Sequence, residues 1–114
     1  MMDVENPIGR LLTASFSPPF ELHEMDRFAA KVRGYVVATR TPVLVMSDAR
    51  AVIAFPQEIS DRMVTLMRAD NPRIERHAML IGGSSIFGLQ IENDVARVTA
   101  GIHGALPFAC YVGG

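Results

Sequence analysis

The stretch Thr41-Pro42-Val43-Leu44-Val45-Met46-Ser47-Asp48-Ala49-Arg50 decides the fold. Pro42 resets the chain, four apolar residues follow without a break, and a polar stretch closes the run. A short, uninterrupted apolar run between turn formers is the pattern of a central parallel strand covered on both faces. A second run of this kind, His77-Ala78-Met79-Leu80-Ile81, leads into Gly82-Gly83-Ser84-Ser85. If the two runs lie side by side and point the same way, the chain between them crosses over as a helix and the domain is layered α/β.

Working outward, the crossover has the right pattern. Pro56 suits the first turn of a helix, where its missing N–H costs nothing. Ile59, Met63 and Leu66 or Met67 recur at helical spacing before Asp70-Asn71-Pro72 ends the segment. Upstream, residues 10–16 alternate weakly and read as a strand stopped by Ser17-Pro18-Pro19. Residues 21–38 read as a helix, with Leu22, Met25, Phe28 or Ala29, Val32 and Tyr35 or Val36 on one stripe. Downstream, Ser84 or Ser85 is a good N-cap for a third helix carrying Phe87, Ile91, Val95 and Val98. Gly101 suits its C-terminal end, and residues 108–112 form a last strand. The expected fold is therefore one α/β domain over residues 1–114: a mixed, mostly parallel sheet of four to five strands with three helices. An extra N-terminal strand would pair antiparallel with residues 10–16. Two arrangements stay open: helices on both faces of the sheet, or all three on one.

Composition limits what such a domain can do. The chain has 114 residues, enough for one core, and 49% are hydrophobic, which excludes wholesale disorder. Eleven basic against twelve acidic residues leave a net charge of −1, with no electrostatic footprint for nucleic acid or an anionic membrane. A single cysteine, Cys110, excludes an internal disulfide framework and any multi-cysteine metal site. MMDVENPIGR has no basic start followed by an apolar core, and no segment approaches the length that spans a bilayer. A cytoplasmic location is the expectation, with no nucleic-acid partner and no membrane insertion.

The stretch from Pro42 through Asp48 to Val52, then Pro56 opening a helix, then Arg76-His77-Ala78-Met79-Leu80-Ile81-Gly82-Gly83-Ser84-Ser85, resembles the STAS-like (SpoIIAA-like, Sec14-related) domains of bacteria. In that group a strand ends in an Asp-containing turn, a helix follows, and the next strand feeds another helix. The resemblance covers about residues 10–100. It implies a non-enzymatic regulatory interaction module, and some relatives bind small apolar or lipidic ligands. This chain departs from the pattern twice. The phosphorylatable serine that opens the helix in anti-sigma-factor antagonists falls here on Pro56-Gln57-Glu58, and the nearest hydroxyl, Ser60, lies one turn in. The family's closing helix has no counterpart after residue 112, so a sheet face or edge is expected to need another cover.

Candidate chemistry is sparse. Asp48 and Arg50 stand at a strand's carboxyl end, where open α/β sheets bind ligands, although an Asp side chain bonding nearby backbone N–H groups accounts for them as well. Ser84 and Ser85 follow two glycines at a helix start and are placed to cradle an anion, although a serine cap explains the pattern more cheaply. No P-loop or nucleophile-elbow spacing is present. His23, His77 and His103 lack metal-ligand spacing, and Cys110 reads as a small buried hydrophobe. Ile59, Met63, Val64, Leu66 and Met67 exceed what one helix face needs, so helix 2 is expected to expose an apolar strip.

These residues point to a non-catalytic module that binds a protein partner or itself as a homodimer, with no cofactor and no metal. Its candidate binding residues are Asp48, Arg50, Ser84, Ser85, Met63 and Met67. The other expectation is a small apolar or lipid-like ligand held between sheet and helices.

Overall fold

Val43–Ala49 and Ile74–Ile81 are parallel neighbours, with Val45 beside His77 and Met46 beside Ala78. The computed structural model describes residues 1–100 and 108–113. In chain order the elements are β1 (Met2–Ile8), β2 (Leu11–Phe16), α1 (Leu22–Ala38), β3 (Val43–Ala49), α2 (Gln57–Asp70), β4 (Ile74–Ile81), α3 (Ser85–Thr99) and β5 (Phe108–Val112), with a short 3-10 turn at Asn71–Arg73. The proposed C-terminal role of Gly101 and the loop carrying His103 lie outside the described residues.

The five strands form one sheet in the order β1-β2-β3-β4-β5. β1 and β2 are an antiparallel hairpin, and the other pairs are parallel. Gly9 turns the hairpin with a φ of 53°, a left-handed conformation that glycine takes without a Cβ penalty. Each crossover advances one strand in the same direction. Right-handed connections therefore put α1, α2 and α3 on the same face, and α2 packs against both α1 and α3. Of the two arrangements left open above, the one-sided sandwich is the one that forms.

The core lies between sheet and helices. Leu12, Ala14 and Phe16 of β2, Val43 and Ala49 of β3, and Met79 and Ile81 of β4 point into it. Met25, Phe28, Val32 and Val36 of α1, Ile59 and Val64 of α2, and Phe87, Ile91 and Val98 of α3 close it from above. Phe55, in the β3–α2 loop, meets Phe16, Phe20 and Phe87 edge-on with ring centroids 5.1–5.8 Å apart. Its backbone is clasped by the Gln90 side chain, which accepts from the Phe55 N–H at 2.7 Å and donates to the Phe55 carbonyl at 2.8 Å.

Two expectations about coverage are corrected. The run Val43–Met46 is not covered on both faces: Met46 is 56% exposed, and among the described residues no helix lies over its side of the sheet. Nor does α2 expose an apolar strip. Ile59 and Val64 are buried, and Met63, Leu66 and Met67 are half-buried and turned inward. The surplus apolar side chains of this helix point into the space above the sheet.

Candidate functional site

Strand alternation puts every second residue on the uncovered face. In register across β2, β3, β4 and β5 run Thr13, Met46, Ala78 and Ala109, with Ser15, Asp48, Leu80 and Tyr111 in the next row. Leu11 and Leu44 pair one row further towards the amino ends. Between Arg76, which stands beside Leu44, and Asp48 the face is apolar over β3, β4 and β5, with Met46 and Tyr111 largely exposed, and it becomes polar towards β1.

Asp48 and Arg50 stand at the corner of this face. The Arg50 guanidinium donates to both carboxylate oxygens at 3.0 and 2.8 Å, and the Arg50 N–H donates to Asp48 at 3.1 Å. These bonds hold the Asp48 carboxyl below its ordinary pKa. Arg50 also reaches towards the end of β5: a Cβ built on Gly113 would lie 2.7 Å from Leu80 Cδ1 and 3.3 Å from Arg50 Cδ. The pair satisfies its own turn and lends the apolar face a charged but internally neutralised rim.

The two sheet edges differ. β1 carries Asp3, Glu5 and Pro7, and Lys31 of α1 reaches Asp3 at 2.9 Å. Inward or flanking charges and proline are how natural sheets blunt an edge. β5 reads Phe-Ala-Cys-Tyr-Val, without a charge or a proline, and among the described residues nothing pairs with its outer side. Cys110 is exposed on this strand rather than buried as expected. Local desolvation pushes its thiol up, away from a reactive thiolate.

The other candidate residues lie elsewhere. Ser84 caps α3: its hydroxyl accepts from the Phe87 N–H at 3.1 Å and donates to the Ile53 carbonyl at 2.7 Å. Ser85 is exposed beside it. Met63 and Met67 line a cavity of about 70 Å³ between sheet and helices, walled also by Phe28, Val45, Phe55 and Phe108. The six candidate residues therefore fall at three places: the outer rim, the start of α3, and the interior.

The interior also holds polar groups that no local pattern announces. The Ser47 hydroxyl and His77 Nε2 share a 2.8 Å hydrogen bond between β3 and β4. The His77 ring keeps a little exposed surface, yet burial lowers its pKa to about 4. A hydroxyl and an imidazole at this distance match a nucleophile and its base, but a ring held neutral so far down the pH scale is a poor base, and Phe108 packs edge-on against it at 4.9 Å. Asp94 of α3 accepts from the buried Ser60 hydroxyl of α2, and Asp70 accepts from Arg33 of α1 at 3.0 Å. Burial raises both carboxyl pKa values. Asp70 Oδ2 and Asp94 Oδ1 have no hydrogen-bond partner among the described residues. His23 pairs with Glu21 at the start of α1, and Asp48 faces away from His77 across the sheet. Among the described residues no three His, Cys, Asp or Glu side chains are grouped to hold a metal ion, and no helix is long and apolar enough to cross a membrane.

The chain matches no protein-family model, no curated protein and no solved structure.

Proposed function

We propose that this protein is a non-catalytic interaction module that works by associating with a second copy of itself. The observation that carries this reading is the uncovered sheet face. Leu44, Met46, Ala78, Leu80, Ala109 and Tyr111 form an apolar surface opposite the helices, and burying such a surface is the dominant favourable contribution to most protein association. A second copy suits the apolar rows because Asp48 and Arg50 at their rim are already paired with each other; Arg76, beside Leu44, marks the charged margin of the face at the amino ends of the strands. The regulatory role implied by the family resemblance is part of the proposal, without its phosphoserine switch. Ser60 is 1% exposed, and its hydroxyl is committed to Asp94.

The cavity of about 70 Å³ favours a second reading, in which a compact apolar molecule sits between sheet and helices. Native mass spectrometry of the purified chain separates the two. The self-association reading predicts twice the monomer mass at submillimolar concentration, with no added mass. A monomer carrying a bound molecule favours the cavity, and a bare monomer overturns both.

A further inference from the structure

We propose that the outer edge of β5 is the dimer seam, on which β5 of a second copy pairs antiparallel across a twofold axis, Cys110 facing its own counterpart. This geometry rests on the self-association reading but takes the contact at the edge of the uncovered face: the two faces join into one, and Ala109 and Tyr111 at the seam, rather than Met46, gain new neighbours.

The phase of the main chain carries the argument. The Gly113 N–H donates to the Ile81 carbonyl at 2.8 Å. Successive residues of a strand turn their N–H and C=O groups to opposite sides, so Ala109 and Tyr111 share Gly113's direction towards β4. Phe108, Cys110 and Val112 turn theirs away from β4, to the side where nothing pairs among the described residues. A twofold pairing over the whole strand sets Phe108 against the counterpart of Val112, and Cys110 against the counterpart of Cys110. Every outward-turned residue then meets an outward-turned residue, as an antiparallel ladder requires. A slip of one residue breaks this match. A slip of two keeps the match but leaves part of a five-residue strand unpaired.

Side chains agree with the register. Antiparallel partners share a face, so Ala109 lies opposite the counterpart of Tyr111 on the uncovered face, and the row Ser15-Asp48-Leu80-Tyr111 meets its own continuation. On the helix side Val112, 76% exposed, gains the counterpart of Phe108 as a neighbour. No charge opposes a like charge. The same pairing at β1, centred on Val4, would set Asp3 against Glu5, and like charges directly opposite destabilise a sheet pair. Charge therefore selects β5 over β1, and the product is a continuous sheet built from both copies.

The test uses the full chain, in which Cys110 is the one cysteine. Residues exchanging hydrogen bonds across an antiparallel pair have Cα atoms about 5.5 Å apart, inside the reach of a disulfide. Oxidation with copper–phenanthroline and oxygen is expected to convert the dimer to a disulfide-linked species in denaturing electrophoresis. Cys110→Ser is expected to sediment as a dimer that does not cross-link. Cys110→Lys sets like charges face to face and is expected to raise the dissociation constant by about tenfold or more, with circular dichroism unchanged. A wild-type dimer that neither cross-links nor responds to Cys110→Lys overturns the seam and leaves self-association standing. A wild-type chain that sediments as a monomer overturns both.

Discussion

Gly82 stands where β4 leaves the sheet. A Cβ added there would lie 2.6 Å from the Arg50 carbonyl oxygen, a backbone atom that has no rotamer to swing away. At Gly83 an added Cβ would meet nothing within 4 Å. Gly82→Ala is therefore expected to cost about 1–3 kcal/mol and Gly83→Ala less than about 0.5 kcal/mol, read as urea midpoints. Equal midpoints would contradict the close approach. The glycine pair is legible in the sequence as a turn, but which glycine is obligatory depends on a strand-end more than thirty residues away. His77 teaches the same lesson. Its partner Ser47 is invisible to local pattern and emerges only from the β3–β4 register. Its pKa is lowered to about 4 from an ordinary 6.5, so between those values the unfolded chain takes up a proton that the folded chain refuses. Stability is lost as pH falls through that window, by up to about 3 kcal/mol from this group. Asp70 and Asp94, with raised folded pKa values, act in the opposite sense, and stability recovers as pH falls through theirs. Comparison with His77→Gln isolates the imidazole. The wild type is expected to lose stability faster than the variant between pH 6.5 and 4, and parallel curves would contradict a ring held neutral.

Ser84 shows what is readable at the scale of an element. An N-cap is a local device, and Ser84 performs it with the Phe87 N–H while its proton goes to the Ile53 carbonyl. Ser84→Ala is expected to lower stability by about 1 kcal/mol or somewhat more, and Ser85→Ala to change little, by thermal or urea unfolding; the reverse order would contradict the cap. The helices, their stripes and β5 are legible because their periods are local. β3 is legible as a strand, but its uninterrupted apolar run is ambiguous about cover, since a bare apolar face and a second helix layer call for the same side chains. The surplus of α2 is ambiguous for a related reason. Met63 and Met67 reach a cavity whose far wall is the sheet, and helical spacing alone does not say how far a long side chain reaches. The Gln90 clasp on Phe55 links residues 35 apart and has no local signature.

For the whole molecule, strand order is what the sequence leaves open and what matters most. A sheet ordered β1-β2-β3-β4-β5 with right-handed crossovers puts α1, α2 and α3 on one side. The apolar residues of β3, β4 and β5 on the other side are then surplus for the monomer and open to an interface. The charged β1 edge and the uncharged β5 edge give that interface a direction. Amide hydrogen exchange followed by NMR against protein concentration tests this most directly. The Cys110 and Val112 amides are expected to be protected in concentrated solution and to exchange faster on dilution, while Ala109 and Tyr111, bonded towards β4, keep their protection throughout. Cys110 and Val112 amides that exchange at the free rate at every concentration would contradict the account.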